Sequence, residues 1–296
     1  MYHELSALLL RSFDLAGTTV LGRRLLAKTN GDEGNPMTDH VINTGGAAIR
    51  VEESGEGEPA LLFLHYWGGS SRTWRSVIGR LGGTSRCIAL DQRGWGASIA
   101  TDERYDLSAM ADDVEAVARQ LGLRRYVLVG HSMGGKVAQI VAVRRPKELV
   151  GLVLIAPAPP TPMPVPEAVR AGMLQSYGSR GGVLQALAVL GGESLSSELR
   201  EQVIEDTVRG APGAKSSWTE HGMIQDVTAG LDAVKVAVIL VVGDRDQVEH
   251  EAALREIFTR FIPQTSFRVL PGIGHLSPLE APDGLADICK KLLREL

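Results

Sequence analysis

Residues 126–140, Tyr-Val-Leu-Val-Gly-His-Ser-Met-Gly-Gly-Lys-Val-Ala-Gln-Ile, constrain the fold of this chain more than any other stretch. An apolar β-run enters an abrupt G-x-S-x-G turn, Gly130 to Gly134, and leaves it as a helix. That order is what a nucleophile elbow requires: a serine on a tight, strained turn with its Oγ clear of the backbone. The turn closes only if the residues two before and two after the serine are small, because strand and helix approach there without room for a Cβ. The following helix points its first N–H groups toward any negative charge that develops at the serine. With 34 glycines among 296 residues, the pattern alone is weak, and the strand–turn–helix context carries the reading.

From residue 41 onward, short apolar runs alternate with amphipathic stretches. The runs predict strands over 47–53, 60–64, 86–90, 126–129, 150–155, 236–242 and 266–270. Helices are expected over 72–81, 107–121, 135–145, 249–261 and 279–295. Apolar strands between amphipathic helices predict an α/β fold, a mostly parallel doubly wound sheet covered on both faces. Strand 47–53 alternates polar and apolar residues, as an edge strand does. Ligands of such sheets bind beyond the carboxyl ends of the strands, and every motif below falls just after a strand.

The alternation breaks once. Ala156-Pro157-Ala158-Pro159-Pro160-Thr161-Pro162-Met163-Pro164 is too proline-rich for a helix or a central strand, and no strand follows until Val236. Helical pieces over 166–177, 182–190, 195–209 and 216–229 predict a helical cap, residues 160–232, inserted into a core of 37–159 and 233–296. Ahead of the core, residues 1–36 read as an extension. Leu5, Leu8 and Leu9 have helical spacing, Thr29 to Pro36 has linker composition, and Met37 is an alternative start. Glu4, Arg11 and Asp14 argue against a signal peptide or a membrane span.

A net charge of −4 and a pI near 6.0 lack the electrostatic footprint of a nucleic-acid binder. Two cysteines make no disulfide framework. Cys87 and Cys289 are expected to be buried apolar fillers, and a reducing, cytoplasmic compartment fits. No phosphate loop, zinc-protease helix or dinucleotide fingerprint occurs, so no metal or cofactor is implied.

A serine hydroxyl is a weak nucleophile until a base takes its proton, and a histidine base needs a third group to fix its tautomer. Of seven histidines, only His275 follows a predicted strand in a glycine-rich turn, Leu270-Pro271-Gly272-Ile273-Gly274-His275. Strand 236–242 runs into Gly243-Asp244-Arg245-Asp246, which supplies a carboxylate at its carboxyl end. Serine, aspartate, histidine is the chain order that open-sheet enzymes of this kind use.

Five motifs in order make the chain resemble the α/β-hydrolase superfamily, close to its esterase and cofactor-free haloperoxidase branch, over about residues 45–296. They are His65-Tyr66-Trp67-Gly68-Gly69, Asp91 to Ser98, Gly130 to Gly134, Gly243 to Asp246, and Gly274-His275 with Glu280-Ala281-Pro282 behind it. The resemblance implies Ser132 as nucleophile, His275 as base and Asp246 as acid, with Asp244 the competitor. It implies an oxyanion hole made by the backbone N–H of Met133 and one from the loop after Leu64. The family reads His-Gly-x in that loop, and here Tyr66 stands in place of the glycine. Trp67 aligns with the donor, and Tyr66 is the alternative.

Tyr66, Trp67 and Met133 are also candidate substrate contacts. Met163, Met173, Tyr177, Trp218 and Met223 either line an apolar acyl or alcohol site or pack the cap. His65 and His131, with Asp91, Arg93, Gly94, Gly96 and Ser98, read as residues that order loops. The implied activity is hydrolysis of a carboxylic ester or related acyl compound by a serine esterase, with a small apolar acyl substrate as partner. Perhydrolysis and carbon–carbon bond cleavage use the same triad, and a non-catalytic ligand receptor is the alternative of another class. The sequence leaves the oligomeric state open.

Overall fold

A computed structural model describes residues 37–296; the helix and linker expected over 1–36 lie outside the described residues. The strands are β1 (Thr38–Asn43), β2 (Ala47–Ser54), β3 (Ala60–Leu64), β4 (Cys87–Leu90), β5 (Ile99–Ala100), β6 (Tyr126–His131), β7 (Leu149–Ile155), β8 (Ala237–Gly243) and β9 (Ser266–Leu270). They form one sheet in the order β1-β2-β4-β3-β6-β7-β8-β9, with the two-residue β5 beside β2. From β4 to β9 every neighbouring pair is parallel, while β1, β2 and β5 join antiparallel.

Alternation along the central strands fills both faces. Leu62 and Leu64 of β3, Leu128 of β6, Leu152 and Leu154 of β7 and Leu240 of β8 face one apolar layer. Helices α2 (Leu107–Gln120), α3 (Met133–Arg144) and α8 (Glu251–Phe261) cover that layer. Phe63, Val127, Val129, Val153 and Val241 face the other, under α1 (Arg75–Leu81) and α10 (Pro282–Glu295). Helix α10 buries Leu285, Ala286, Cys289 and Leu292, a stripe at helical spacing, and leaves its charged face to water. Cys87 and Cys289 are free thiols in this second layer, and burial pushes both up to about 12. They fill space, as expected.

Between β7 and β8 lie α4 (Glu167–Ser176), α5 (Arg180–Val189), α6 (Ser197–Arg209) and α7 (Pro212–Glu220). This helical segment packs on loops at the carboxyl ends of the strands. Leu190 O accepts from His275 N at 3.1 Å, Thr207 Oγ1 donates to Gly68 O at 3.0 Å, and Ala211 N donates to Gly94 O at 2.7 Å.

Several elements differ from expectation. Strand 47–53 is β2, and it is not the edge: β1 lies outside it, a strand with one buried residue, Ile42, and no apolar run to mark it. The helix expected over 216–229 is α7 instead, which starts with Pro212 at its first turn and ends at Glu220. Beyond it Val227 N donates to Pro160 O at 2.8 Å, tying the exit of the helical segment to its entry. The helix expected from 279 is split, with a short α9 (Ser277–Glu280) before Pro282 opens α10. Among the described residues no helix is long and apolar enough to cross a membrane.

Candidate active site

Ser132 follows β6 and stands at the N-cap position of α3, with φ +51° and ψ −114°, a region that L-residues avoid. Close packing forces that turn. A Cβ on Gly130 would lie 2.5 Å from Gly134 O, and one on Gly134 would lie 2.6 Å from both Leu64 O and His65 O. The serine backbone is strapped on both sides: its N–H donates to Ile155 O at 3.0 Å, and its carbonyl accepts from Ala158 N and Lys136 N, both at 3.1 Å. The helix begins at Met133, two residues before its expected start, so its first N–H groups are at the serine itself.

Of the two aspartates weighed from sequence, Asp246 is the one that reaches His275, with Nδ1 to Oδ2 at 2.9 Å. Its other oxygen, Oδ1, accepts from Val248 N at 2.8 Å and Glu249 N at 2.9 Å. Burial pushes the Asp246 carboxyl up, but the charge and hydrogen bond of His275 and these two N–H groups outweigh it and hold the carboxyl below the usual range. An ionised Asp246 only accepts, so the Nδ1 of His275 donates to it. Asp244 is exposed, and its Oδ1 accepts from Gly272 N at 2.6 Å, bracing the turn before His275.

His131 links the serine turn to the histidine loop. Its Nε2 donates to His275 O at 2.8 Å, and the two rings lie 5.2 Å apart. Burial and the neighbouring His275 keep its pKa well below the ordinary value, so the ring is neutral. His65 is locked in the same way. Gln92 N donates to its Nε2 at 3.0 Å, so Nδ1 carries the proton given to Tyr66 O at 2.7 Å, and burial pushes the ring down to about 4. Asp91 gathers the Ser71 and Ala97 N–H groups, and Arg93 clamps Asp113, which orders the loop after β4.

Tyr66 and Trp67 follow β3. Tyr66 is not among the residues with positive φ, so a tyrosine in place of the family's glycine brings no backbone strain. Its ring packs with Val183 and Leu187 of α5, Val203 and Ile204 of α6, and Leu276. Trp67 stacks on Tyr177 at the end of α4, with centroids 3.7 Å apart and planes 11° apart. Such a pair adds about 1 kcal/mol beyond its buried area. Among the described residues the backbone N–H groups of Trp67 and Met133 have no protein acceptor. Ser132 is 9% exposed and His275 2%. A groove of about 730 Å³ lined by His40, Glu53, Glu58, Arg86 and Arg124 lies at the amino ends of the strands, on the far side of the sheet from this site.

Sequence reasoning passed over Lys136 and Glu249, both buried beside these groups. A lysine inside the mostly apolar run of α3 was the available signal.

Comparison with known proteins gives the family. The Alpha/beta hydrolase family model matches residues 61–288. A non-heme haloperoxidase of Rhodococcus erythropolis is 29% identical over 79% of this chain and 92% of its own length. A 2-(acetamidomethylene)succinate hydrolase of Mesorhizobium japonicum is 26% identical over 80% of this chain and 90% of its own. Among solved structures, a thermophilic esterase of Thermogutta terrifontis superposes with a TM-score of 0.74 at 25% identity, covering 87% of this chain and 98% of that one. The chain belongs to the α/β-hydrolase family and is an enzyme of that class.

Proposed function

We propose that this enzyme hydrolyses a carboxylic ester or related acyl compound through Ser132, His275 and Asp246. The observation that carries the reading is the Asp246–His275 hydrogen bond, which orients the imidazole, together with the strained turn at Ser132. Ser132 Oγ attacks the acyl carbonyl as Nε2 takes its proton. The oxyanion that forms is held by the N–H groups of Met133 and Trp67, each such donor contributing about 3 kcal/mol in enzymes of this kind. His275 then protonates the departing alcohol. Water attacks the acyl-enzyme by the same path in reverse, which returns the proton to Ser132. Tyr66, Trp67 and Met133 line the acyl side, residues 160–232 act as a cap on the core of 37–159 and 233–296, and no cofactor takes part. Two buried free thiols fit a cytoplasmic setting.

The similarity to a haloperoxidase supports a second reading, in which peroxide replaces water at the acyl-enzyme and a peracid leaves. Both readings need the same serine. Ser132→Ala is expected to abolish turnover across a panel of short-chain esters while circular dichroism and Tm stay at wild-type values. Retained turnover removes the assignment.

A further inference from the structure

Residues 66–70 carry the proposed oxyanion donor, the backbone N–H of Trp67. The loop starts against the serine turn, since Leu64 O and His65 O are the atoms that a Cβ on Gly134 would meet. Two of its peptide units are hydrogen-bonded in series. Gly69 N donates to Tyr66 O at 3.0 Å, and His65 Nδ1 donates to the same oxygen at 2.7 Å. Tyr66 O and Trp67 N share one peptide unit, and Gly68 O and Gly69 N share the next but one. Both units are trans, so in each the N–H points away from the C=O. Whatever fixes Gly68 O therefore aims Gly69 N–H at Tyr66 O. Whatever fixes Tyr66 O aims Trp67 N–H in the opposite direction.

Gly68 O is fixed from the helical segment. Thr207, near the end of α6 and 1% exposed, donates from Oγ1 to Gly68 O at 3.0 Å. A threonine inside a helix ordinarily turns its hydroxyl to the carbonyl one turn back. This one reaches instead to a residue 139 positions earlier. The approach needs a missing side chain. Gly68 has φ +100°, and a Cβ there would lie 2.9 Å from Thr207 Oγ1 and 2.8 Å from Tyr177 Cε2. On the other side of Gly69, Ser70 Oγ donates to Asp206 Oδ2 at 2.7 Å, and Arg72 Nη1 donates to Asp206 Oδ1 at 3.0 Å. Adjacent residues of one helix thus hold the loop on both sides of the Gly69 N–H.

Resting on the reading of Ser132 as nucleophile and Trp67 N–H as oxyanion donor, we propose that Thr207 is a positioning residue for the oxyanion hole. Its hydroxyl acts through two peptide units: Thr207 O–H binds Gly68 O, Gly69 N–H binds Tyr66 O, and Trp67 N–H is the free end of the series. Hydrogen bonds in such a series polarise one another, so the Thr207 hydroxyl strengthens the last donor as well as aiming it. The charge that benefits lies on the attacked carbonyl oxygen and exists only once Ser132 adds. Thr207 therefore acts on kcat and not on ground-state binding. A residue of the helical segment, not of the sheet core, sets the donor.

Thr207→Val keeps the shape of the side chain and loses the hydroxyl, while Thr207→Ser keeps the hydroxyl. With ethyl butanoate, Thr207→Val is expected to lower kcat about tenfold with KM within about twofold of wild type, part of what losing a whole donor costs. A short trifluoromethyl ketone gives a readout without turnover. Ser132 Oγ adds to its carbonyl carbon, His275 takes the serine proton and the ketone oxygen becomes the anion. Its Ki should rise in Thr207→Val by the factor that kcat falls, and Thr207→Ser should bring both to within about threefold of wild type. A merely structural threonine would lower Tm and leave Ki and kcat per folded molecule unchanged. Should Thr207→Val fail to fold, Thr207→Ala against Thr207→Ser reads the same hydroxyl at equal side-chain length, with the same gap expected. Wild-type kcat and Ki in Thr207→Val, or a Thr207→Ser as impaired as Thr207→Val, overturns the proposal while an active wild type leaves the serine reading standing. A wild type that neither hydrolyses the ester nor binds the ketone removes the serine reading and this proposal with it.

Discussion

Ser132, Asp246 and His275 act as a unit only if each is held in a single state. A positive φ fixes the serine, and three acceptor contacts fix the Asp246 carboxylate. Asp246→Asn offers a donor where His275 needs an acceptor and so favours the wrong tautomer. Steady-state kinetics should show kcat reduced about 10⁴-fold, with little change in Asp244→Asn beyond a looser turn at Gly272. The reverse ranking would move the acid role to Asp244. These residues were legible because each sits in a short motif at a strand end. Choosing between the two aspartates needed the direction of a side chain, which spacing does not carry. Lys136 and Glu249 were passed over because a charge in a sequence says nothing of whether it is buried.

At the level of elements, α3 is the piece everything else is set against, and its contact with β3 depends on a missing side chain. Gly134→Ala would place a Cβ 2.6 Å from two backbone oxygens of that strand and its loop. Backbone cannot step aside as a flexible side chain can, so the expected loss is roughly 2–4 kcal/mol, read as a lower denaturant midpoint at unchanged slope. Gly172→Ala in α4, with no atom within 4 Å of its new Cβ, is the control and should be neutral or stabilising by up to about 1 kcal/mol. Equal effects at the two positions would contradict the packing argument. The long apolar runs revealed their strands and helices. Strand β1 escaped notice because of its six residues only Ile42 is buried. The boundaries of α7 and α10 moved because each opens on a proline, which suits a first turn and not a helix interior.

Across the whole molecule, the parallel sheet sets the loops that carry Ser132, Asp246 and His275 side by side, and the helical segment is bonded to loops at that end. His275 N is held by Leu190 O, Gly68 O by Thr207, Ser70 by Asp206 and Trp67 by Tyr177. The layering and the chain order of the motifs were readable from the alternation of apolar runs. These ties were not, because they join residues more than eighty positions apart through single hydrogen bonds and one ring stack. Ser132 is 9% exposed and His275 2%, so labelling of the serine tests site and access together. The direct measurement is intact mass and peptide mapping after exposure to a small fluorophosphonate. A single adduct on Ser132 that disappears in His275→Ala is the expected result. Failure to label Ser132, or labelling that persists undiminished without His275, would contradict an activated serine and with it the proposed chemistry.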